Sequence, residues 1–440
     1  MERRFNLLSG LSRRDFLKTA AAAGLAGQLV PGRAHAFAAG SDRIRVGLIG
    51  CGGRGTGAAK DCVTGAAGVE LVAMGDLFAD RVEKSRKQLA ENVGDRLKVT
   101  NDTAFAGFDA YEKVIDSGVD LVILATPPGF RPLHLEAAIR AGKHVFMEKP
   151  VAVDPVGIRS VIASSDLATK KGLAIVAGTQ RRHDPKYVET MRRIHDGAIG
   201  EVLGGQVYWN QGGLWRAERK PEMSDMEWQV RNWLYFTWLS GDHVVEQHVH
   251  NIDVANWALG AHPVRANGVG GRQVRTDPGY GHIFDHFAVE LEYPSGARIL
   301  SMCRQQDGTA RHVGEHFTGT KGTSNGQDWI RAAESWKYRG EGVNPYVQEH
   351  TDLIASIRAG KPLNEGRQIA ESTLSAIMAR EAAYTGQVIT WEEIMASDLD
   401  LMPKRLAFGP LPVAPVPQPG VTKLARSPYA HTTEAAAGAR

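Results

Sequence analysis

The residues best equipped for chemistry sit at two points in the chain, a glycine-rich turn near its start and a histidine-rich run near its middle. The first reads Gly50-Cys51-Gly52-Gly53-Arg54-Gly55 and follows directly on an apolar run from Arg43 to Ile49. A helix-compatible stretch comes next, then a second apolar run, Val69 to Met74, ending at Gly75-Asp76. A lone G-x-G-x-x-G says little. Between a strand and a helix, with an acid about twenty residues on, it has the context that dinucleotide binding demands. Gly50 permits the tight turn, Gly52 lets backbone approach a pyrophosphate, and Gly55 allows close helix–strand packing. The helix N-terminus then faces the phosphate charge, with Cys51, Gly53 and Arg54 completing the loop. Asp76 would accept hydrogen bonds from the adenosine ribose and repel a 2′-phosphate, which favours NAD over NADP; Arg81 stands close enough to soften that preference.

The second point holds His243, Glu246, His248, His250 and Asp253. On a helix, His243, Glu246 and His250 could share a face while His248 points elsewhere. The spacing is not H-E-x-x-H and hydride transfer needs no metal, so no metal is expected. A histidine is suited to take a hydroxyl proton at neutral pH while hydride leaves the carbon. Glu246 and His250, at i and i+4, would share a face, with Asp253 next along it and able to orient the imidazole.

The elements that must position these groups alternate. After the first two strands, Tyr111 to Asp116 reads as a helix and Val119 to Ala125 as a strand ending at Thr126-Pro127-Pro128. His134 to Ala141 reads as a helix, and His144 to Met147 as a strand ending at Glu148-Lys149-Pro150. This predicts an α/β fold with an N-terminal Rossmann, doubly wound parallel sheet, its ligands at the strand C-terminal ends. Thr126, Pro127, His134, Glu148 and Lys149 therefore join the expected cofactor set. Gly172 to Thr179 reads as the last parallel strand, with Arg182 and His183 at its end. From Gly200 the pattern turns to strands over 201–208, 264–268, 284–293, 297–303 and 315–318, which predicts an α+β domain with a large, mostly antiparallel sheet covered on one face by helices. Two helices, 346–358 and 365–384, follow, the second stopped by Gly386.

At Glu148-Lys149-Pro150 the chain resembles the glucose–fructose oxidoreductase / inositol dehydrogenase / MocA family. Five features carry the resemblance in order: the glycine loop, Asp76, Ala125-Thr126-Pro127-Pro128, Glu148-Lys149-Pro150, and Glu246-Gln247-His248-Val249-His250-Asn251-Ile252-Asp253. It spans about residues 42 to 395. The resemblance implies that Lys149 and His250 surround a substrate carbinol beside the nicotinamide, with His250 as base and Lys149 stabilising developing alkoxide charge. Glu246 stands where the family has an aspartate. The resemblance also brings Arg182 and His183 near the pocket and implies a homodimer or homotetramer built on the open sheet face.

Six of the nine tryptophans, Trp209, Trp215, Trp228, Trp233, Trp238 and Trp257, fall in one stretch. Aromatic faces stack on the apolar faces of pyranose rings. Trp209 and Trp215, in a glycine-rich stretch, are the expected substrate contacts; Trp233 and Trp238 read as core.

Residues 1–36 hold six Lys/Arg against Glu2 and Asp15, a net of +4, so the whole-chain +3 leaves −1 for the remainder. That gives no basic surplus for nucleic acid or an anionic membrane. The excess sits in Ser12-Arg13-Arg14-Asp15-Phe16-Leu17-Lys18, followed by a short apolar stretch and Ala34-His35-Ala36, the form of a twin-arginine signal with a peptidase site. The expected organisation is a signal over 1–36, a nucleotide domain over 37–165, a substrate and oligomerisation domain over 166–395, and a proline-rich tail over 396–440 that wraps a neighbour or stays partly disordered. Three cysteines give no disulfide framework. The resulting expectation is an exported, periplasmic oxidoreductase that moves hydride between a retained nicotinamide cofactor and a sugar or polyol, without a membrane anchor after processing. Redox-recycling glycoside cleavage, sugar transhydrogenation and non-catalytic NAD binding are the competing readings.

Overall fold

The computed structural model describes residues 43–425, so the signal segment and residues 426–440 lie outside the described residues. Six parallel strands, β1 (Ile44–Ile49), β2 (Val69–Asp76), β3 (Ala104–Ala106), β4 (Leu121–Leu124), β5 (His144–Met147) and β6 (Ile175–Ala177), form a sheet ordered β3-β2-β1-β4-β5-β6. Every residue of β4 is fully buried, as a strand covered by helices on both faces must be. The order reverses between β1 and β4, which opens a crevice at their carboxyl ends. Helix α1 (Gly53–Gly65) starts beneath that crevice.

Helix α2 (Pro155–Lys171) follows the Glu148-Lys149-Pro150 motif. Asp154 caps it by accepting from the Gly157 amide at 2.7 Å, Pro155 opens it, and Gly172 ends it in the left-handed region at φ 67°. Because β6 belongs to the parallel sheet, the boundary expected at residue 165 falls inside this helix.

The second sheet has nine strands. Its long members are β7 (Val202–Gln211), β8 (Arg265–Gly271), β9 (His286–Glu292), β10 (Arg298–Gln305) and β11 (His312–Gly319). Four short ones, β12 (Gly322–Ser324), β13 (Trp329–Ala332), β14 (Trp336–Lys337) and β15 (Ile389–Thr390), complete the order β14-β13-β12-β11-β7-β10-β9-β8-β15. Only β7 and β10 pair parallel. The inward residues Val207, Phe287, Val289, Leu291, Ile299 and Phe317 pack in one core with helix residues such as Ile252, Ile369 and Ile377.

Between β7 and β8 lie helices α3 (Asp225–Arg231), α4 (His243–Glu246) and α5 (Val249–Leu259); α6 (Pro345–Arg358) and α7 (Gly366–Thr385) follow β14. Residues 397–425 run back over the chain's own surface. The Leu401 amide donates to Asp154 Oδ2 at 2.9 Å, Gln229 Nε2 to the Leu411 carbonyl at 2.6 Å, and the Gly420 amide to the Thr385 carbonyl at 2.8 Å. Over the described part of the tail the apolar side chains Leu401, Met402, Leu406 and Leu411 find cover against Phe78, Phe130 and Trp228 of the same chain. Among the described residues no helix is long and apolar enough to cross a membrane.

Candidate active site

The glycine turn is fixed by close approach. Gly50 has φ 103°, and a Cβ there would stand 2.4 Å from the Thr126 amide; a Cβ on Gly55 would stand 1.9 Å from the Gly50 carbonyl oxygen. Gly52 and Gly53 are the opposite case, with no atom within 4 Å of where a Cβ would sit. They present bare backbone to a cavity of about 460 Å³ lined also by Cys51, Arg54, Asp76, Arg81, Lys84, Trp215 and Trp233. That open cradle at a helix N-terminus suits a pyrophosphate. Asp76 is held rigid: Oδ2 accepts the Cys51 amide at 2.7 Å and Oδ1 the Phe78 amide at 3.0 Å. Its remaining lone pairs stay available to a ribose diol. Arg81 lies in the same cavity with its guanidinium over the Phe78 ring at 5.2 Å. Burial pushes the Cys51 thiol well up, so it stays protonated and unreactive.

Asp76, Arg81, Thr126 and Pro127 continue into a second cavity walled by Phe108, Tyr111, Phe130 and His134. His134 stacks 4.4 Å from Tyr111, and its Nδ1 lies 3.1 Å from Thr126 Oγ1. Burial lowers its pKa to about 3, so it is a neutral wall. The volume of this cavity is small, about 40 Å³, and its aromatic walls would meet the edge of an adenine whose sugar and phosphates lie in the glycine-turn cavity.

At the other end, Arg54, Ala125, Thr126 and Trp233 line both the glycine-turn cavity and a third one of about 270 Å³. The third cavity gathers Lys149, Glu246 and His250, with Glu148, Gln180 and Tyr346. Lys149 leaves the end of β5 and donates to the Glu246 carbonyl at 2.5 Å and to Glu246 Oε1 at 3.1 Å. His250 is buried, stacked at 5.7 Å on Trp209, and its Nδ1 has no partner. Burial first, then the nearby Lys149 and Arg181 cations, hold its pKa well below the ordinary value, so the ring is neutral and able to accept a proton. Glu148 is bound by Arg54 Nε at 2.6 Å, and Arg54 lies over the Tyr346 ring at 4.9 Å.

Several sequence expectations need correction. Glu246 and His250 are not on one helix: α4 ends at Glu246 and α5 begins at Val249, though both side chains still reach one cavity. Asp253 does not orient His250. Its carboxylate takes Arg182 Nε and Nη2 at 2.8 and 2.9 Å, and Ser372 Oγ at 2.7 Å. Arg182 faces a separate cavity with His195, Trp257 and Glu371, away from Lys149. His183 is locked between Asp352 at 2.6 Å and Glu365 at 3.2 Å, joining the end of β6 to α6. Trp209 backs His250, and Trp215 is half-exposed at the glycine turn, so neither lines the cavity that Lys149 lines. Trp233, expected as core, lines it instead; Trp238 is core as expected. His243 and His248 turn away from His250, to Asp242 and Ser301.

Sequence reading missed Arg131. It is fully buried, and its guanidinium donates to the Thr126 carbonyl at 2.7 Å and the Glu148 carbonyl at 3.0 Å, tying the ends of β4 and β5 together. Nothing in the local pattern distinguishes it from a surface arginine. Tyr346 and Gln180 likewise reach the site only through the fold.

Comparison with known proteins identifies the family. Residues 44–179 match the oxidoreductase family with an NAD-binding Rossmann fold, GFO/IDH/MocA, and residues 187–325 match its C-terminal domain. Residues 10–29 match the twin-arginine translocation signal. A scyllo-inositol 2-dehydrogenase (NAD(+)) of Bacillus subtilis is 28% identical over 258 residues, 58% of this chain and 65% of that protein. A 2,7-anhydro-N-acetylneuraminate hydratase of Escherichia coli is 30% identical over 281 residues, 62% of this chain and 68% of that protein. The structure of an aldose-aldose oxidoreductase from Caulobacter crescentus superposes with a TM-score of 0.62 at 20% identity, covering 79% of this chain and 99% of that one, a likeness of fold alone. With both halves matched and the cofactor turn intact, the chain belongs to the GFO/IDH/MocA oxidoreductase family and carries its NAD-binding Rossmann fold.

Proposed function

We propose that the protein is an exported oxidoreductase that moves hydride between a firmly held nicotinamide cofactor and a secondary hydroxyl or keto group of a sugar or polyol. The observation that carries this is the convergence of Lys149, Glu246 and His250 on a cavity continuous with the glycine-turn cleft through Arg54, Ala125, Thr126 and Trp233. When bound, the cofactor supplies the hydride acceptor and donor. The chain's own residues do the rest. Neutral His250 takes the hydroxyl proton, and Lys149, aimed by Glu246, stabilises the developing alkoxide. Lys149 is paired with Glu246 and Arg54 with Glu148, while Arg131 is committed to the Thr126 and Glu148 carbonyls. Trp233 and Tyr346 offer faces for the apolar side of a polyol. The inositol dehydrogenase relative supports the polyol class. Export places the enzyme in the periplasm. The second sheet's outward Val269 and Leu300, both exposed, suit contact with a second copy in a homodimer or homotetramer.

A second reading is redox-neutral chemistry, in which hydride is taken and then returned within one cycle. The relative named as a hydratase favours it, since hydration changes no net oxidation state. The test common to both is a Lys149→Ala/His250→Ala double variant assayed on a panel of sugars, polyols and glycosides, with nicotinamide absorbance and product both followed. Turnover should fall by at least about 10³-fold; unchanged turnover on every substrate would overturn the assignment. Product without net absorbance change selects the redox-neutral reading.

A further inference from the structure

We infer that the C-terminal segment from Leu401 to Leu411 is part of the cofactor site: a strap that closes the adenine end of the cleft, so that dinucleotide leaves only after the strap lifts. The inference rests on the cofactor reading above and assigns binding residues that neither the glycine turn nor the family's two domains contain, since the matched domains end at residue 325.

Three observations carry it. First, Leu406 lines the cavity of Phe108, Tyr111 and His134 and is its sole contribution from beyond Val230. Two residues on, Phe408 meets Phe78 at 6.0 Å with rings 14° apart and Phe108 at 5.2 Å. The tail's aromatic side chain therefore packs on Phe108, a wall of that cavity. Second, the strap is pinned on both sides of that crossing. Before it, the Leu401 amide binds Asp154 Oδ2 at 2.9 Å; after it, the Met226 amide donates to the Gly409 carbonyl at 3.2 Å and the Leu411 amide to Asp225 Oδ2 at 3.0 Å. Such a segment has a defined closed position, unlike a frayed terminus. Third, the cover is shared between the halves: Arg231 of α3 lies 3.8 Å over the Phe78 ring and pairs with Asp80 at 3.2 Å. Opening the adenine end thus means parting the strap, and with it the anchor it makes on α3.

The grip is nevertheless light enough to release. Phe408 is about half-exposed, and the segment between its anchors makes no helix or strand. Local opening of such a segment costs far less than global unfolding. The strap therefore sets the lifetime of the bound dinucleotide without sealing it in permanently.

The experiment loads purified wild-type protein, a Leu406→Ala/Phe408→Ala variant, and a chain ending at Ser397 with radiolabelled NAD. Each is then chased with excess unlabelled NAD, and the label still bound is measured over time. Both altered proteins should lose label at least tenfold faster than wild type. In hydrogen exchange, NAD should slow the amides of residues 401–411 in the wild type. If the point variant, folded by circular dichroism, releases label at the wild-type rate, or if NAD leaves exchange in 401–411 unchanged, the strap is wrong while the cofactor reading stands. If wild type neither takes up label nor releases nucleotide on acid denaturation, the cofactor reading itself fails. Should the shortened chain not fold, the point variant and the exchange measurement still decide.

Discussion

His250, the proposed base, has no orienting carboxylate. Its Nδ1 is unpartnered, its ring is fixed by Trp209, and its charge state is set by burial and by Lys149 and Arg181. Protonation removes it from the reaction, so oxidation is lost only as pH falls through a pKa already well below 6.5. We expect kcat/KM for oxidation to stay level from pH 8 to pH 6. An ordinary imidazole base would lose about three quarters of its activity over that span. An acid limb centred near 6.5 would contradict the environment described for the ring. Asp76 carries the second prediction at this scale. With Asp76→Ser the carboxylate proposed to face the ribose is gone while Arg81 remains, so preference should move toward NADP by about tenfold in relative kcat/KM. An unmoved ratio would mean that Asp76 does not face the ribose. Both residues were legible in the sequence because each belongs to a local pattern. Asp253 was misread for the same reason: proximity along the chain suggested His250, but its partner Arg182 lies 71 residues away and only the fold brings it there.

The elements explain why the local patterns could be trusted as far as they went. Parallel strands buried on both faces are uninterrupted apolar runs, and glycine at the turn is demanded by contact. Gly55→Ala would drive its methyl into the Gly50 carbonyl, so we expect loss of more than about 1 kcal/mol of stability in denaturant unfolding, together with loss of NAD binding. A Gly55→Ala protein that binds NAD normally would falsify the tight-turn account. The strands β12 to β15 escaped notice because two to four residues give too little alternation to read. The His183 link between β6 and α6 was also hidden, since its partners come from distant segments. Burial lowers its pKa, but Asp352 and Glu365 outweigh that and raise it from 6.5 to about 9. A raised folded-state value stabilises fully below pH 6.5 and is lost as pH climbs through 9. The melting temperature of wild type should thus fall between pH 7 and 9.5 more steeply than that of His183→Gln. Parallel curves for the two proteins would show that the link is not charged.

For the whole molecule, the proposed reacting centre belongs to neither half alone: Lys149 comes from the end of β5, Glu246 and His250 from the helices before β8. The composition and the paired arginines indicated export and a two-part chain, but the contact that completes the centre is a property of assembly. Replacing Arg13 and Arg14 with lysine should leave a folded, NAD-loaded protein inside the cell, detected by fractionation and by nucleotide released on acid denaturation. Unprocessed protein that still crosses the membrane would rule out the twin-arginine route. The tail adds a consequence in time. Residues 401–411 come after nearly every other residue that lines these cavities, so the proposed strap can close only once the rest of the cleft has been made. Dinucleotide that enters before that point meets an open cleft; dinucleotide that enters afterwards must first lift the strap.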